Sequence, residues 1–567
     1  MNAPDKSSMV ERSTTMRFLR WLCTWRAVRR ILIGLAWLVA LIALFHGEEN
    51  WRGRRAWNQC RREIEARGEP LDYRALIPKP VPDEQNFAAT PAIKSWFETK
   101  TASDSVPSWG DEYAQVGERV RPPKAKDARA SRHLEDLAGW EEAFAAGRSS
   151  KVAGHNESYS AKLDPQGRQV AFAAGRSSKE AGHNESYSAK LDPQSRAQAA
   201  PAVLEGLRTN EALFTELRLA SGRPKSRYPV NYEIENIWAI RLPHLRMIKG
   251  ACQRLQLKAC AELASGQSEK ALEDLKLMFY LADSLRTDPF LISYLVRLAC
   301  VQLAVQPIWE GLAEHRWSEA QLQELETRLQ QYNFIVDMKS SFDEERAAAI
   351  STIEMIRQKG PWYLNVIGAS DSTPPPRESM MVKLLWTVLI PQGWYYQEEL
   401  NYCRGFKTEL ATGLDTTKNQ ISPTQVKADV QAFERMMAAT GFAWAVWEGV
   451  LGHKIMARML LPALNKVLLK SAAVQTAVNQ AAIACALERY RLANGHFPEK
   501  LDALAPQLIS PLPNDVLTGE PYKYRRTDDG QFVLYSVGWD EKDDGGVSGK
   551  MLFDEKQGDW VWEYPAK

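Results

Sequence analysis

The sequence lacks the local patterns that usually reveal a chemical function. It contains no Cys-x-x-Cys pair, and its seven cysteines are scattered, so neither a zinc site built on thiolate pairs nor a dithiol redox centre is indicated. It has no Gly-x-Ser-x-Gly elbow, no P-loop, no Gly-x-Gly-x-x-Gly fingerprint and no His-Glu-x-x-His motif. A net charge of +2 over 567 residues leaves no positive excess for nucleic acid. These absences favour a protein without catalytic activity and without a nucleic-acid partner.

The titratable residues that remain are isolated along the chain. Four histidines stand near predicted helix ends or turns: His244, His315, His453 and His496. An imidazole at such a position usually caps the helix or is half-exposed. Glu344 and Glu345 lie on a predicted helix surface, where we expect them to be solvated. We therefore assign no catalytic or cofactor-binding residue; an active site would have to be assembled by the fold from distant residues.

The longest apolar run is Ile31–Phe45, which contains no charged residue and follows several arginines. At about 1.5 Å per residue the run is shorter than the roughly 30 Å hydrocarbon layer, so the arginines before it would snorkel and the bilayer would thin. It predicts an uncleaved membrane anchor; a cleaved signal peptide and a buried helix are the alternatives. The basic side predicts a cytoplasmic N-terminus. We expect a single-pass bacterial inner-membrane protein with its bulk outside, residues 1–50 forming the basic segment and anchor and residues 51–100 a juxtamembrane segment.

An internal repeat marks the next part of the chain. Residues 101–200 are polar and rich in small side chains, which predicts a flexible linker. Within them, Ala143–Arg168 returns as Ala171–Arg196 with only two differences. Two copies are too few to stack into a solenoid. We interpret the repeat as a duplication inside a tolerant linker.

The pattern becomes helical in residues 201–365. Apolar residues recur every three or four positions along "LPHLRMIKGACQRLQLKACAELASGQSEKALEDLKLMFYLADSL". Gly266 can adopt the left-handed conformation that ends one helix, and Ser268 is placed to cap the next. The two stripes predict an antiparallel hairpin, whose "A-x-x-x-G-x-x-x-x-A-L" spacing resembles a tetratricopeptide hairpin. A capping box at Ser318 and Gln321 predicts the start of a further helix.

Two segments separate this helical region from the C-terminal part. Residues 366–380 are rich in proline and serine and predict an extended linker. Residues 381–469 predict a helical segment whose first apolar stretch is too short for a second span. We expect its aromatic residues, Trp386, Trp394, Tyr395 and Tyr396, to lie in a helical core; a platform for sugar or lipid is the alternative.

The last segment, residues 470–567, predicts a small α+β module. "SAAVQTAVNQAAIACALERYRLANG" predicts a helix that ends at Gly495, and Pro498 stands where a second helix would begin. "PYKYRR" and "FVLYSV" predict two strands joined in a hairpin around Gly530. The motifs "LERYRLANGHFPEKLDAL" and "YSVGWDEKDDGG" resemble the C-terminal part of type II secretion major pseudopilins over about residues 470–546.

That resemblance implies a calcium site in the acidic loop after the hairpin. In those pseudopilins the corresponding loop binds calcium. Carried over by position, Asp540, Asp543 and Asp544 would be the carboxylate ligands, because a hard cation prefers several oxygens and relieves their mutual repulsion. A solvated acidic turn is the alternative.

The layout as a whole resembles a family of uncharacterised bacterial membrane-anchored proteins, through "ENWRGRRAW" after the anchor, "VPDEQNF" and "MARMLLPAL". We expect a mainly α protein with an N-terminal transmembrane helix, a helical body with a hairpin or tetratricopeptide-like arrangement, and a pseudopilin-like α+β module. The expected function is non-catalytic interaction or scaffolding with protein partners in the envelope, as an accessory to a type II secretion-like system. The alternative is an envelope hydrolase or ligand-binding protein with a site in the helical body.

Overall fold

The computed structural model describes residues 25–98, 134–153, 193–234, 236–360, 380–381, 390–410, 413–437, 453–461 and 464–563. Within these ranges the chain is mainly helical, as expected, with two small antiparallel sheets. The helices are α1 (Trp25–Ala66), α2 (Pro91–Ser95), α3 (Leu137–Ala153), α4 (Pro193–Leu207), α5 (Glu211–Ala220), α6 (Pro243–Ala264), α7 (Ser268–Asp283), α8 (Leu291–Ala313), α9 (Glu319–Leu329), α10 (Phe334–Lys359), α11 (Gln392–Leu410), α12 (Pro423–Met437), α13 (Ile455–Leu460) and α14 (Leu464–Asn494). The strands are β1 (Leu414–Asp415), β2 (Gln420–Ile421), β3 (Lys523–Arg526), β4 (Phe532–Ser536) and β5 (Trp560–Trp562). Almost all of the predicted linker at 366–380 lies outside the described residues.

The chain divides into two compact units. The first takes Met1–Leu71, Ile350–Gly405 and Ala439–Met459, and the second takes Asp72–Ala349, Phe406–Ala438 and Leu460–Lys567. This division does not follow the predicted segments. The reason is that α14, expected to belong to a separate C-terminal module, packs on α8 and α9 and shares their core.

Helix α1 is one unbroken helix of 42 residues, about 63 Å long at 1.5 Å per residue. The most apolar 18-residue stretch of α1 within Val28–Ala66 has a mean hydropathy of 2.2, and none of its residues is buried. The helix is therefore long and apolar enough to cross a membrane. The first part of the predicted juxtamembrane segment belongs to the same helix, because α1 continues from Phe45 to Ala66 without a break.

In the first unit, the distal half of α1 meets α11 by close backbone contact. A Cβ on Gly53 would lie 2.3 Å from Gly393 O, and a Cβ on Gly393 would lie 2.1 Å from Glu49 O. Gly393 N donates to Asn50 Oδ1 at 2.6 Å. Glycine at both positions is what allows the two backbones to approach so closely. Tyr395 is buried, as expected for a core aromatic residue, whereas Trp394 and Tyr396 are half-buried and Trp386 lies outside the described residues.

In the second unit, α6 and α7 form the predicted hairpin. Gly266 has a φ of 72°, which confirms its role in ending α6. Ser268 does not cap α7, because Gln267 takes the N-cap position and Ser268 is already helical. Its Oγ instead accepts a hydrogen bond from Gln321 Nε2 at 3.2 Å. The capping box between Ser318 and Gln321 at the start of α9 is confirmed.

Helix α8 lies in the core of the second unit. It packs against α6, α7 and α14. It is also long and apolar enough to cross a membrane, but 56% of its most apolar 18-residue stretch is buried. Arg297 and Glu310 on this helix are buried among protein groups, so its apolar character serves packing in this fold.

Helices α3 and α4 occupy parts of the stretch expected to be a flexible linker, which corrects that expectation for their residues. They share a buried cluster with α6 that includes Trp140, Val203 and Leu257. Trp140 precedes the first repeat copy and Val203 follows the second, so apolar residues outside the repeat pack both helices. The rest of the repeat, residues 154–192, lies outside the described residues.

The C-terminal region follows its predicted order with two corrections. Helix α14 ends before Gly495, and β3 and β4 pair antiparallel as predicted. The second helix predicted from Pro498 does not form. A single 3-10 turn at Leu501–Leu504 takes its place, because one turn is enough to bury both Leu501 and Leu504. The short strand β5 pairs with β4 and was not predicted.

Candidate functional site

A groove between α7 and α9 is the first candidate site, and it lies within the second unit. Its volume is about 720 Å³, within the range of ligand pockets. Buried apolar side chains contribute to its lining: Leu272, Phe279 and Leu325. Gln323 and Gln331 line it as exposed polar residues. The groove can therefore bury an apolar group while amide side chains fix its orientation.

The charges along this groove are already paired. Lys276 Nζ lies 2.8 Å from Glu324 Oε1. Arg328 pairs with Asp283, and its guanidinium carbon lies 5.5 Å from the centre of the Phe279 ring. Because each charge has a partner, the groove offers no strong field to a charged ligand. It is better suited to a peptide segment or a neutral molecule.

A buried histidine–aspartate pair is the second candidate site. His244 Nε2 lies 2.6 Å from Asp288 Oδ2, and Ser293 Oγ donates to the same oxygen at 3.2 Å. The imidazole stacks with Tyr228 and Phe97, at 4.2 Å and 5.5 Å between ring centres. His244 is fully buried. The expectation that it is half-exposed or capping is wrong, because two aromatic rings stack on it and an aspartate holds it.

Among the residues that the structure describes, three buried polar atoms near this pair have no hydrogen-bond partner: His244 Nδ1, Tyr73 Oη and Tyr232 Oη. The rings of Tyr73 and Tyr232 each lie 6.1 Å from the ring of Phe290, two residues after Asp288. Burial raises the pKa of both tyrosine hydroxyls, so both stay protonated and able to donate. Buried polar atoms without partners are rare in native proteins. A polar ligand atom would be favourable at each of them.

Glu344 on α10 adds a titratable group beside Asp288. Burial raises the pKa of Glu344 to about 8, and the charge of Asp288 adds to the rise. Burial likewise raises the pKa of Glu345 to about 7. Both side chains are half-buried on α10, so the expectation that they are fully solvated is wrong.

This arrangement supplies the parts of acid–base chemistry. When the Nε2–H of a neutral His244 donates a hydrogen bond to Asp288, the lone pair of Nδ1 can accept a proton, and an aspartate-held imidazole is a common general base. Glu344, whose raised pKa keeps it protonated at neutral pH, is the acidic group of this region. Sequence analysis missed the group because its members lie on different elements and only the fold joins them.

The other three histidines differ among themselves. His315 Nδ1 lies 2.8 Å from Glu488 Oε1 just after α8, as expected for a half-exposed residue at a helix end. His496 is exposed. His453, in the first unit, is buried beside Trp394 at 4.9 Å between ring centres. Burial lowers the pKa of His453 to about 4, so the expectation of a half-exposed imidazole is wrong there.

The acidic loop holds the three predicted calcium ligands in separate local hydrogen bonds. Asp540 Oδ1 accepts from Lys542 N at 3.2 Å. Asp543 Oδ1 accepts from Tyr535 Oη at 3.0 Å. Asp544 contributes its backbone N–H, which donates to Asp559. Across the described ranges, no three or more His, Cys, Asp or Glu side chains form a group that could hold a metal ion. Calcium binding in this loop stays a prediction of the sequence.

Asp559, which precedes β5, organises this loop from inside. It is buried, and its Oδ2 accepts from Gly546 N at 2.6 Å and from Val547 N at 3.3 Å. Its Oδ1 accepts from Asp544 N at 3.3 Å. Three backbone donors thus converge on one carboxylate, which ties the loop to the sheet without a metal. Sequence analysis did not identify Asp559, because it is 12 to 15 residues from the loop groups that it binds.

Comparison with known proteins adds no relative to these observations, since no family model, no curated protein and no solved structure matches the chain.

Proposed function

We propose that this protein is anchored in the bacterial inner membrane by α1 and acts as a non-catalytic interaction or scaffold protein of the cell envelope. The groove between α7 and α9 is the observation that carries this proposal. The apolar window of α1, 0% buried, supports the anchor, because an exposed apolar surface of this size needs lipid or protein to cover it. The arginines before the run support a cytoplasmic N-terminus and an external body.

A segment of a partner protein is the ligand that this groove suits best. Leu272, Phe279 and Leu325 form the apolar floor of the groove, and the exposed Ala320 and Thr327 offer contact to a partner's side chains. Gln323 and Gln331 offer donors and acceptors to a peptide backbone. Because the charges are paired, binding depends on apolar burial more than on salt.

The test is site-specific photocrosslinking in native membranes. A photoreactive residue at Gln323, which lines the groove, should form a defined adduct with a partner. The same residue at Glu205, exposed on α4 of the same unit, is the matched control and should form none. Ala320→Trp, which adds a large ring to the lining, should abolish the Gln323 adduct. An adduct that survives this substitution, or one that forms equally at Glu205, would remove the groove from the proposal.

The proposal includes an accessory role in a type II secretion-like system, supported by the resemblance of the C-terminal region to major pseudopilins. Truncation cannot test it, because α14 belongs to the core of the second unit: Arg489 Nη1 donates to Glu326 Oε2 at 2.7 Å. A photoreactive residue at Arg525, exposed on β3, should instead form adducts with pseudopilins. Adducts at Gln323 without any at Arg525 would remove the secretion role and keep the groove.

A second function, an envelope hydrolase or ligand-binding protein, is favoured by the unpartnered His244 Nδ1. Hydrolysis of p-nitrophenyl esters by the purified full chain tests the hydrolase form. His244→Gln should abolish turnover, whereas His496→Gln, at an exposed histidine, should not. Equal turnover in the two variants would exclude His244 as the base.

A further inference from the structure

The membrane-proximal patch is an exposed face of α1 formed by Trp51, Arg54 and Arg55. Trp51 is 62% exposed, and the guanidinium carbon of Arg55 lies 5.3 Å from the centre of a Trp51 ring. Arg54 and Arg55 are also exposed. Gly53 and Trp57 lie on the other side of the helix and are buried. Burial of that side fixes the rotation of α1, so the patch faces away from the unit.

The positive charge of this patch is not neutralised by nearby carboxylates. Arg52 pairs with Glu49 and lies 3.9 Å from Glu48, so it engages both acids of this turn. In the part of the chain that the structure describes, neither Arg54 nor Arg55 has an ion-pair partner. Two cations therefore remain beside an exposed indole ring.

The position of the patch along α1 places it at the membrane surface. The run Ile31–Phe45 covers only about 22 Å of a hydrocarbon layer of about 30 Å, so residues beyond Phe45 are drawn toward the interface. Trp51 lies about 9 Å beyond Phe45, and Arg54 and Arg55 lie about 14 Å beyond it. Side chains of a helix lean toward its N-terminus, which here is toward the membrane, and long arginine side chains extend further in that direction.

We propose that Trp51, Arg54 and Arg55 bind the headgroup phosphate of an anionic phospholipid in the leaflet next to this end of α1. The two guanidinium groups hold the phosphate oxygens by charge-assisted hydrogen bonds, and the indole lies at headgroup depth. This inference rests on the proposed membrane anchor. It adds a preference for lipid charge, which an apolar helix alone does not supply.

The test uses the full chain reconstituted in phosphatidylcholine bilayers. Spin-labelled phosphatidylglycerol and spin-labelled phosphatidylcholine are the two probes, and electron paramagnetic resonance gives the ratio of their association constants for the protein. The double variant Arg54→Gln, Arg55→Gln should lower that ratio by about fivefold for each arginine removed. Salt at about 0.5 M should lower the wild-type ratio toward that of the variant.

A matched control lies on the same helix. Arg61→Gln, Arg62→Gln removes the same charge at about 24 Å beyond Phe45, out of reach of the headgroups, and should leave the ratio unchanged. An unchanged ratio in the Arg54, Arg55 variant overturns the proposal. So does an equal fall in the control, because it would reflect net charge alone. Failure of the anchor itself is distinguished by alkaline carbonate extraction, which would then release the full chain from membranes.

Discussion

Arg196 and His244 are both buried in the second unit, yet their surroundings differ. Arg196 is 1% exposed and pairs with Glu310 and Glu314, and its Nε donates to Glu135 O at 3.2 Å. Each of its three side-chain nitrogens therefore has an acceptor. His244 has one nitrogen bonded to Asp288 and one that no described residue contacts by a hydrogen bond.

The difference separates a structural ion cluster from a candidate for function. A fully bonded guanidinium joins α4 to α8, and its loss would leave Glu310 buried without a counter-charge. An imidazole with an unpaired nitrogen gains little for stability, because an apolar residue of similar volume would avoid the desolvation cost. An ordered water or a ligand atom at Nδ1 would remove that cost.

The largest effect is expected at the ion cluster of Arg196, Glu310 and Glu314. Arg196→Met should lower the free energy of unfolding by about 3–5 kcal/mol, because Glu310 then stays buried without a counter-charge and Glu314 keeps only the partly exposed Arg316. Chemical denaturation followed by circular dichroism measures the change. Arg208→Met is the control: its side chain is 77% exposed, and a change within about 0.5 kcal/mol is expected there. Equal effects in the two variants would exclude a structural role for the Arg196 ion cluster.

A smaller effect is expected when the second site is replaced as a whole. His244→Phe alone leaves Asp288 with only part of its hydrogen bonding and should cost about 1–3 kcal/mol. The double variant His244→Phe, Asp288→Leu removes both polar partners and should recover most of that loss. The same denaturation experiment measures both. A double variant as unstable as Arg196→Met would make this pair structural as well.

The sequence predicted what depends on neighbouring residues. The hairpin turn at Gly266 and the capping box at Ser318 are local patterns, and the structure contains both. The long apolar run predicted a helix able to span a membrane for the same reason. The candidate site could not be predicted, because His244 and Asp288 are 44 residues apart and Glu344 lies on another helix. The apolar repeats of strands and helices, every two or about 3.6 residues, cannot show which distant polar residues the core brings together.

The second site should also show a pH signature. The pKa of Glu344 is raised to about 8 by burial in the folded chain, against about 4.3 when unfolded. Between these values the unfolded chain releases a proton that the folded chain keeps, so the free energy of unfolding falls as the pH rises. The contribution is fully present below about pH 4 and lost as the pH passes about 8. Glu344→Gln should therefore melt at a higher temperature than wild type at pH 9 and at a similar one at pH 5. Glu205→Gln, at an exposed glutamate, should show no such difference, and a parallel shift of the Glu344 variant at both pH values would contradict the assignment.

The smallest effect is expected from removing one copy of the repeat, which supplies Arg168 as a second version of Arg196. Deleting residues 143–170 leaves one copy with Arg196 in place. The melting temperature should change by no more than about 2 °C, because Trp140 and Val203, which pack α3 and α4, lie outside the repeat. In this shortened chain Arg196→Met should cost as much as it does in the full chain. A larger loss in the shortened chain would mean that, in the Arg196→Met variant of the full chain, Arg168 takes the place of Arg196 by a shift of the chain. The ion cluster would then depend on Glu310 and Glu314 rather than on one particular arginine.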